Sequence, residues 1–179
     1  MNQVDGSETN SFFTITLLSS LLKNNGMNFL ELKIPPLALL AILVIGQYGF
    51  ASYVPFGDVE IQFKLWIAAC AFLVGALIAL LGVYEFKKYG TTVNPTNPDG
   101  TVAIVNTGVY SLTRNPMYVG FAFMLLSAAI FTANYVSLAS LPIYVLYMNR
   151  FQIQPEERLL VEKFGEGYSS YLQQVRRWL

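Results

Sequence analysis

The sequence predicts an all-α integral membrane protein with four transmembrane helices. The last two form a helical hairpin, and cytoplasmic amphipathic helices follow at the C-terminus. Three observations predict this. Of 179 residues, 54% are hydrophobic and only 12% charged, against about a quarter charged in a soluble domain. The few charges are clustered, which leaves long runs with none. Lysine and arginine gather on one side of those runs.

Composition also removes several function classes. The net charge is zero, so no basic field attracts nucleic acid. The single cysteine, Cys70, lies inside an apolar run, which excludes a disulfide framework and argues against structural zinc. There is no histidine. Ser-His-Asp and Cys-His catalysis go with it, as do most catalytic zinc sites, and no metal site is expected. An enzyme built from these residues needs chemistry with little proton shuttling.

Residues 1–26 read as an N-terminal extension, disordered or lying on the surface, and residues 27–179 as one membrane domain. The apolar stretch Phe12 to Leu22 is too short to cross a bilayer and follows Asp5 and Glu8, whereas a secretory signal would carry positive charge there. The first transmembrane run extends from Ile34 to about Val54, with Pro35 and Pro36 suited to a first helical turn. The second extends from Gln62 to about Tyr84. From Met117 to Met148 no residue is charged, a length too great for one crossing. Its most polar point, Thr132-Ala133-Asn134, divides it into the two arms of the hairpin. Pro142 is expected to kink the second arm, with Ser140 satisfying a freed carbonyl.

Asp58 and Glu60 mark the 55–61 loop, while Lys87, Lys88, Arg114, Arg150, Arg158, Arg176 and Arg177 lie at the opposite level. The positive-inside rule then places both termini and the 85–116 loop in the cytoplasm. The membrane expected is a bacterial inner membrane. In the tail, Pro155 starts a helix with Glu156 and Glu157 in its first turn, and Gly165 interrupts it. Leu160, Phe164, Tyr168, Tyr171, Val175 and Trp178 then form one apolar stripe.

Three polar clusters converge on the cytoplasmic face. They are the Thr91–Gly100 loop, the segment Gly108–Gly120 leading into the third helix, and Asn149-Arg150 with Glu156-Glu157-Arg158. Each residue has an ordinary explanation. Asn115-Pro116 suits a helix start, Arg114 an interfacial anchor, Tyr110 and Tyr118 an aromatic belt, and the two glutamates a helix dipole. Adjacent acids, arginines and tyrosines meeting at one end of a hairpin nevertheless point to a site, because such groups are costly near lipid without partners.

The order Arg114-Asn115-Pro116-Met117-Tyr118-Val119-Gly120, then Pro155-Glu156-Glu157-Arg158, Phe164-Gly165, Tyr168, Tyr171 and Arg177-Trp178 resembles the isoprenylcysteine carboxyl methyltransferase family. That family is related to the phospholipid N-methyltransferases. The resemblance covers roughly the last half of the chain and implies S-adenosylmethionine as cofactor, bound between the hairpin and the C-terminal helices. A lipophilic acceptor would enter from the membrane. Tyr110, Arg114, Asn115, Tyr118, Gly120, Glu156 and Glu157 are the implied cofactor-binding residues, and Arg114 and Arg150 the implied catalytic ones. The family often has histidine where this chain has Asn115, which cannot act as a base.

In-line methyl transfer from a sulfonium suits this composition, since positioning and desolvation supply most of the barrier reduction. Glu156 and Glu157 would hold the ammonium and ribose hydroxyls, Tyr110 or Tyr118 would face the sulfonium, and Arg114 or Arg150 would hold a carboxylate. Carboxyl O-methylation is the leading expectation, with phospholipid N-methylation or thiol S-methylation as alternatives. A sterol-type membrane reductase and a non-catalytic membrane protein are the rivals from other classes. Transport is disfavoured, since no ionisable group sits at mid-membrane.

Overall fold

The computed structural model describes residues 28–53, 60, 62–91 and 102–179. The N-terminal extension, Asp58 and most of the Thr91–Gly100 cluster therefore lie outside the described residues. Every regular element among the described residues is helical.

Helix α1, Pro36–Tyr53, starts at the expected proline pair, with the Pro35 carbonyl accepting from Ala38 and Leu39. Helix α2, Lys64–Lys88, is 25 residues long, about 38 Å at the usual rise. Both are long and apolar enough to cross a membrane, and only 17% and 22% of their apolar windows are buried. Ile42, Ile45 and Phe50 of α1 and Trp66, Phe72, Leu73 and Leu77 of α2 face outward. Long apolar helices that turn such side chains away from the protein require lipid around them. The chain is a membrane protein.

Helix α3, Pro116–Thr132, is the first arm of the hairpin. It ends where the polar tip was expected, with Ala133 in the left-handed region (φ 52°). It packs along α2 through small residues. A Cβ on Gly120 would lie 2.5 Å from the Gly75 carbonyl oxygen and 2.9 Å from Ala79, and one on Gly75 would lie 2.6 Å from the Gly120 carbonyl oxygen. Two backbones in van der Waals contact gain dispersion energy that lipid tails cannot match. Near the tip, Gln47 of α1 donates to the Leu125 and Ser137 carbonyls and to Ser140 Oγ, tying α1 to both arms.

The second arm differs from expectation. Residues Tyr135–Ala139 form a 3₁₀ turn capped by Asn134, whose side chain accepts from the Val136 N–H. Helix α4, Ser140–Tyr147, starts only then. Pro142 thus lies in a first turn, where its missing N–H leaves no gap and forces no kink. Ser140 Oγ does donate to a backbone carbonyl, that of Ser137, at 2.7 Å.

Nor does the C-terminal helix start anew at Pro155. The chain stays helical through a π-helical turn, Met148–Ile153, into α5, Gln154–Phe164. Pro155 cannot donate to the preceding turn and its ring would crowd it. A widened turn just before it accommodates both. Because no free helix start precedes Glu156 and Glu157, the dipole explanation for those residues falls away. Gly165 separates α5 from α6, Glu166–Gln174. Tyr168 and Tyr171 are the buried members of the expected stripe, and residues 175–179 leave the helix as an extended strap. Leu39, Leu40, Tyr118, Leu125, Tyr144, Met148 and Ile153 form the core, with Trp178 packed against it.

Candidate functional site

The strap and the start of α3 hold each other. Arg114 N–H donates to the Arg176 carbonyl at 2.9 Å, Thr113 Oγ1 to the Arg177 carbonyl at 3.1 Å, and Asn115 Nδ2 to the same carbonyl at 2.9 Å. Asn115 therefore spans to the strap instead of capping α3. Trp178 Nε1 donates to Asn149 Oδ1 at 2.9 Å, and the Trp178 ring meets Tyr144 edge-on.

Arg114 sits under this arrangement. Its Nη1 donates to the Leu172 and Val175 carbonyls at 2.7 and 2.6 Å, and its Nη2 to Glu157 Oε1 at 2.8 Å. Glu157 also accepts from Arg177 Nη2 and Nε. The Arg114 and Glu157 side chains are only 10% and 12% exposed, so this is a largely desolvated ionic cluster that closes α3, α5 and the strap together. Arg114 Nε is buried without a partner among the described residues.

Glu156, one residue along α5, has a different environment. Its Oε1 accepts from Tyr118 Oη at 2.7 Å and from Gln152 Nε2. Neither partner is a cation. Burial pushes its pKa up to about 7, against the opposing effect of those two hydrogen bonds and with the neighbouring Glu157 charge adding to the rise. Tyr118 is fixed by its place on α3, and its carbonyl accepts from Tyr144 Oη at 3.1 Å.

Tyr110 belongs to the short 3₁₀ turn Gly108–Ser111. It is 4% exposed. Its carbonyl accepts from Tyr171 Oη at 2.7 Å, its ring packs on Phe86 with centroids 5.1 Å apart, and its own hydroxyl is buried without a partner among the described residues. Burial is the main cause holding its phenol above the ordinary tyrosine range, followed by Tyr171 and the carboxylates of Glu156 and Glu85.

The expected residues thus fall into three groups. Tyr118 and Glu156 meet at the open end of the hairpin, and Tyr110 feels the Glu156 carboxylate. Arg114, Asn115 and Glu157 lie beside them, committed to one another and to the strap. Gly120 faces α2, and Arg150 stands apart in an ion pair with Glu31, which Arg158 also joins. A groove of about 520 Å³ lies against α5 and α6, lined by Gln154, Glu157, Arg158, Val161, Glu162 and Leu172. Gln152 and Glu85 were not anticipated. A glutamate at the C-terminal end of a long apolar run was the available signal for Glu85.

A cationic nucleoside fits these residues. A carboxylate with no cation, a phenol with no partner and a guanidinium N–H with none, all among the described residues, are the groups such a ligand satisfies. Apolar helices turned to lipid, with this polar cluster at one end of the bundle, define a helical membrane protein with a polar site at one end. The phospholipid methyltransferase family profile matches residues 63–167, more than half the chain, and the chain belongs to that family.

Among similar proteins is protein-S-isoprenylcysteine O-methyltransferase of Saccharomyces cerevisiae, 29% identical over 167 residues, which cover 87% of this chain and 64% of that one. The protein of the same name from Schizosaccharomyces pombe is 36% identical over 74 residues, 40% of this chain and 30% of that one. An uncharacterized protein of Haemophilus influenzae is 40% identical along its whole length, 63 residues, or 35% of this chain. The chain thus spans less than two thirds of the two yeast proteins. No solved structure matches it.

Proposed function

We propose that this protein transfers a methyl group from S-adenosylmethionine to a lipophilic acceptor at the cytoplasmic membrane face, by carboxyl O-methylation of the prenylcysteine type. The observation that carries it is Glu156. A largely desolvated carboxylate at a hairpin mouth, bonded to a tyrosine and a glutamine and to no cation among the described residues, is an electrostatic cost that a cationic ligand removes. Membership of a methyltransferase family supplies the class of reaction, and the similarity to the two yeast proteins supports the acceptor.

S-adenosylmethionine, when bound, supplies an electrophilic methyl on a sulfonium. The chain's own residues bind and orient. Glu156 takes the ammonium, with Tyr118 and Gln152 fixing its carboxylate. Arg114 offers Nε, and otherwise holds α5 and the strap in place through Glu157. Arg150, Asn115 and Gly120 complete the proposed site from its margin, Arg150 paired with Glu31, Asn115 bonded to the strap and Gly120 packed on Gly75. Four crossings complete the topology. Helices α1 and α2 are the first two, while α3 and the arm 135–150 are the shorter hairpin, with both termini cytoplasmic. Water exclusion by the lipid-embedded helices then strengthens each charge interaction at the mouth.

A second acceptor class has one observation in its favour. An amine nucleophile must lose a proton, and Glu156, with its pKa near neutrality, is a base that a chain without histidine otherwise lacks. This favours phospholipid N-methylation as the alternative.

Calorimetric titration of the detergent-solubilised chain with S-adenosylmethionine and S-adenosylhomocysteine tests the donor. Labelled donor supplied with a prenylcysteine or with phosphatidylethanolamine vesicles tests the acceptor. Absence of donor binding refutes the function, and label in the phospholipid alone selects the alternative.

A further inference from the structure

The 107–111 turn that carries Tyr110 is latched to the end of α2 by a side chain the site has not yet used. Glu85 is 8% exposed. Its Oε2 accepts from Thr107 Oγ1 at 2.8 Å, and Thr107 Oγ1 also lies 3.1 Å from Tyr89 Oη. The next residue, Gly108, has φ 57°. A Cβ there would stand 2.6 Å from Glu85 Oε1, so the carboxylate lies flush against the glycine backbone. The next residue of α2, Phe86, packs its ring on that of Tyr110 at a 55° tilt, and Tyr171 holds the Tyr110 carbonyl from the other side. Backbone, ring and neighbours of Tyr110 are all fixed, yet its hydroxyl, in a residue 4% exposed, has no partner among the described residues. Leaving a buried hydroxyl unsatisfied costs about 1–3 kcal/mol, and so much fixation of an orphan group marks a place where a ligand supplies the bond.

The sign of that ligand follows from its surroundings. The carboxylates of Glu156 and Glu85 both act on the Tyr110 hydroxyl; Lys88 Nζ, on a half-exposed side chain 3.9 Å from Glu85 Oε2, is the one cation paired with either acid among the described residues, so two acids against one cation leave the local potential negative. A protonated phenol in a negative field offers its oxygen lone pairs to a cationic N–H. We propose that Tyr110 Oη is a binding group for the ammonium of the methyl donor's amino-acid end, and that Glu85 is the positioning residue that holds Tyr110 there. This rests on the donor assignment above and deepens it. Recognition is by hydrogen bond at the amino-acid end, in place of a ring face toward the sulfonium. It also makes a residue of α2 essential to a site otherwise built from α3, α5 and the strap.

The test is calorimetric titration of the full chain with S-adenosylhomocysteine and with 5′-methylthioadenosine, which keeps the nucleoside and thioether but lacks the amino-acid end. Tyr110→Phe removes an unpaired buried hydroxyl, so its melting temperature is expected to hold or rise. Its affinity for S-adenosylhomocysteine falls roughly tenfold or more, the worth of a hydrogen bond to a charged group, and its affinity for 5′-methylthioadenosine does not change. Glu85→Ala shows the same selective loss, and Glu85→Gln, whose amide oxygen still accepts from Thr107, restores most of it. Equal losses for both ligands, no loss in Tyr110→Phe, or no rescue by glutamine each overturn the inference while leaving donor binding intact. A wild-type chain that binds neither ligand overturns it together with the function it rests on.

Discussion

Replacing Glu156 with glutamine isolates the electrostatic cost on which the site depends. The amide oxygen can still accept from Tyr118 and Gln152, so shape and hydrogen bonding are nearly kept while the titration is removed. Glu156 has a pKa of about 7 in the folded chain against 4.5 ordinarily. The folded state therefore binds the proton more tightly than the unfolded one. Stability from this group is complete below the ordinary value and is lost as pH rises through about 7. Between those limits the loss amounts to roughly 3 kcal/mol, at about 1.4 kcal/mol for each pH unit of displacement. Unfolding in detergent, followed at pH 5, 6, 7 and 8, is expected to show wild type weakening relative to Glu156→Gln by an amount of that order, with most of the divergence complete by pH 7.

The same displacement predicts a proton released on ligand binding. A cation beside Glu156 returns its pKa toward the ordinary value, so at pH 7 about half a proton leaves per ligand bound and at pH 8 about a tenth. Calorimetric titrations in buffers of different ionisation enthalpy count those protons. Parallel stability profiles for wild type and Glu156→Gln, together with proton-neutral binding at pH 7, would refute the reasoning.

Three further outcomes follow from the packing. Glu157→Gln leaves Arg114 and Arg177 without their shared carboxylate, and loss of one partner in a buried pair costs about 3–5 kcal/mol; a melting temperature equal to wild type would show that the cluster is not desolvated. Gly120→Ala, whose Cβ would meet the Gly75 carbonyl at 2.5 Å, should force α2 and α3 apart and cost about 1–3 kcal/mol, with Gly75→Ala behaving alike; unchanged thermal stability in either variant contradicts the close approach. Truncation after Gln174 removes the Val175, Arg176 and Arg177 carbonyls that accept from Arg114, Thr113 and Asn115 and the Trp178 contacts, and should lower the melting temperature and the protease resistance of α5 and α6; limited proteolysis comparing the two chains reads this directly.

Much of the fold was legible along the chain because bilayer thickness fixes how many apolar residues a crossing needs. The ends of α1 and α2 fall within a few residues of their expected places, and the hairpin turns at the one polar interruption of an uncharged stretch. The second arm was harder. Whether Pro142 kinks a helix or sits in its first turn depends on where that helix begins, and Asn134 and a 3₁₀ turn delay the start to Ser140. Likewise Pro155 reads as a helix start from its neighbours, whereas a π-helical turn lets the helix run through it.

By itself, the order of residues determined that apolar helices would bring the stretch around Arg114 and the pair Glu156-Glu157 to one end of the bundle. Hydrophobic length and hairpin connectivity suffice for that. Tertiary structure alone decided which polar group meets which. Arg114 gave its donors to Leu172, Val175 and Glu157, while Glu156, its neighbour in sequence, was left facing tyrosine and glutamine. Successive residues on a helix point about 100° apart, so among the described residues Glu157 meets two arginines and Glu156, just before it, meets none. The role of Glu85 was decided the same way, because a glycine backbone can lie against its carboxylate only where α2 and the 107–111 turn happen to cross.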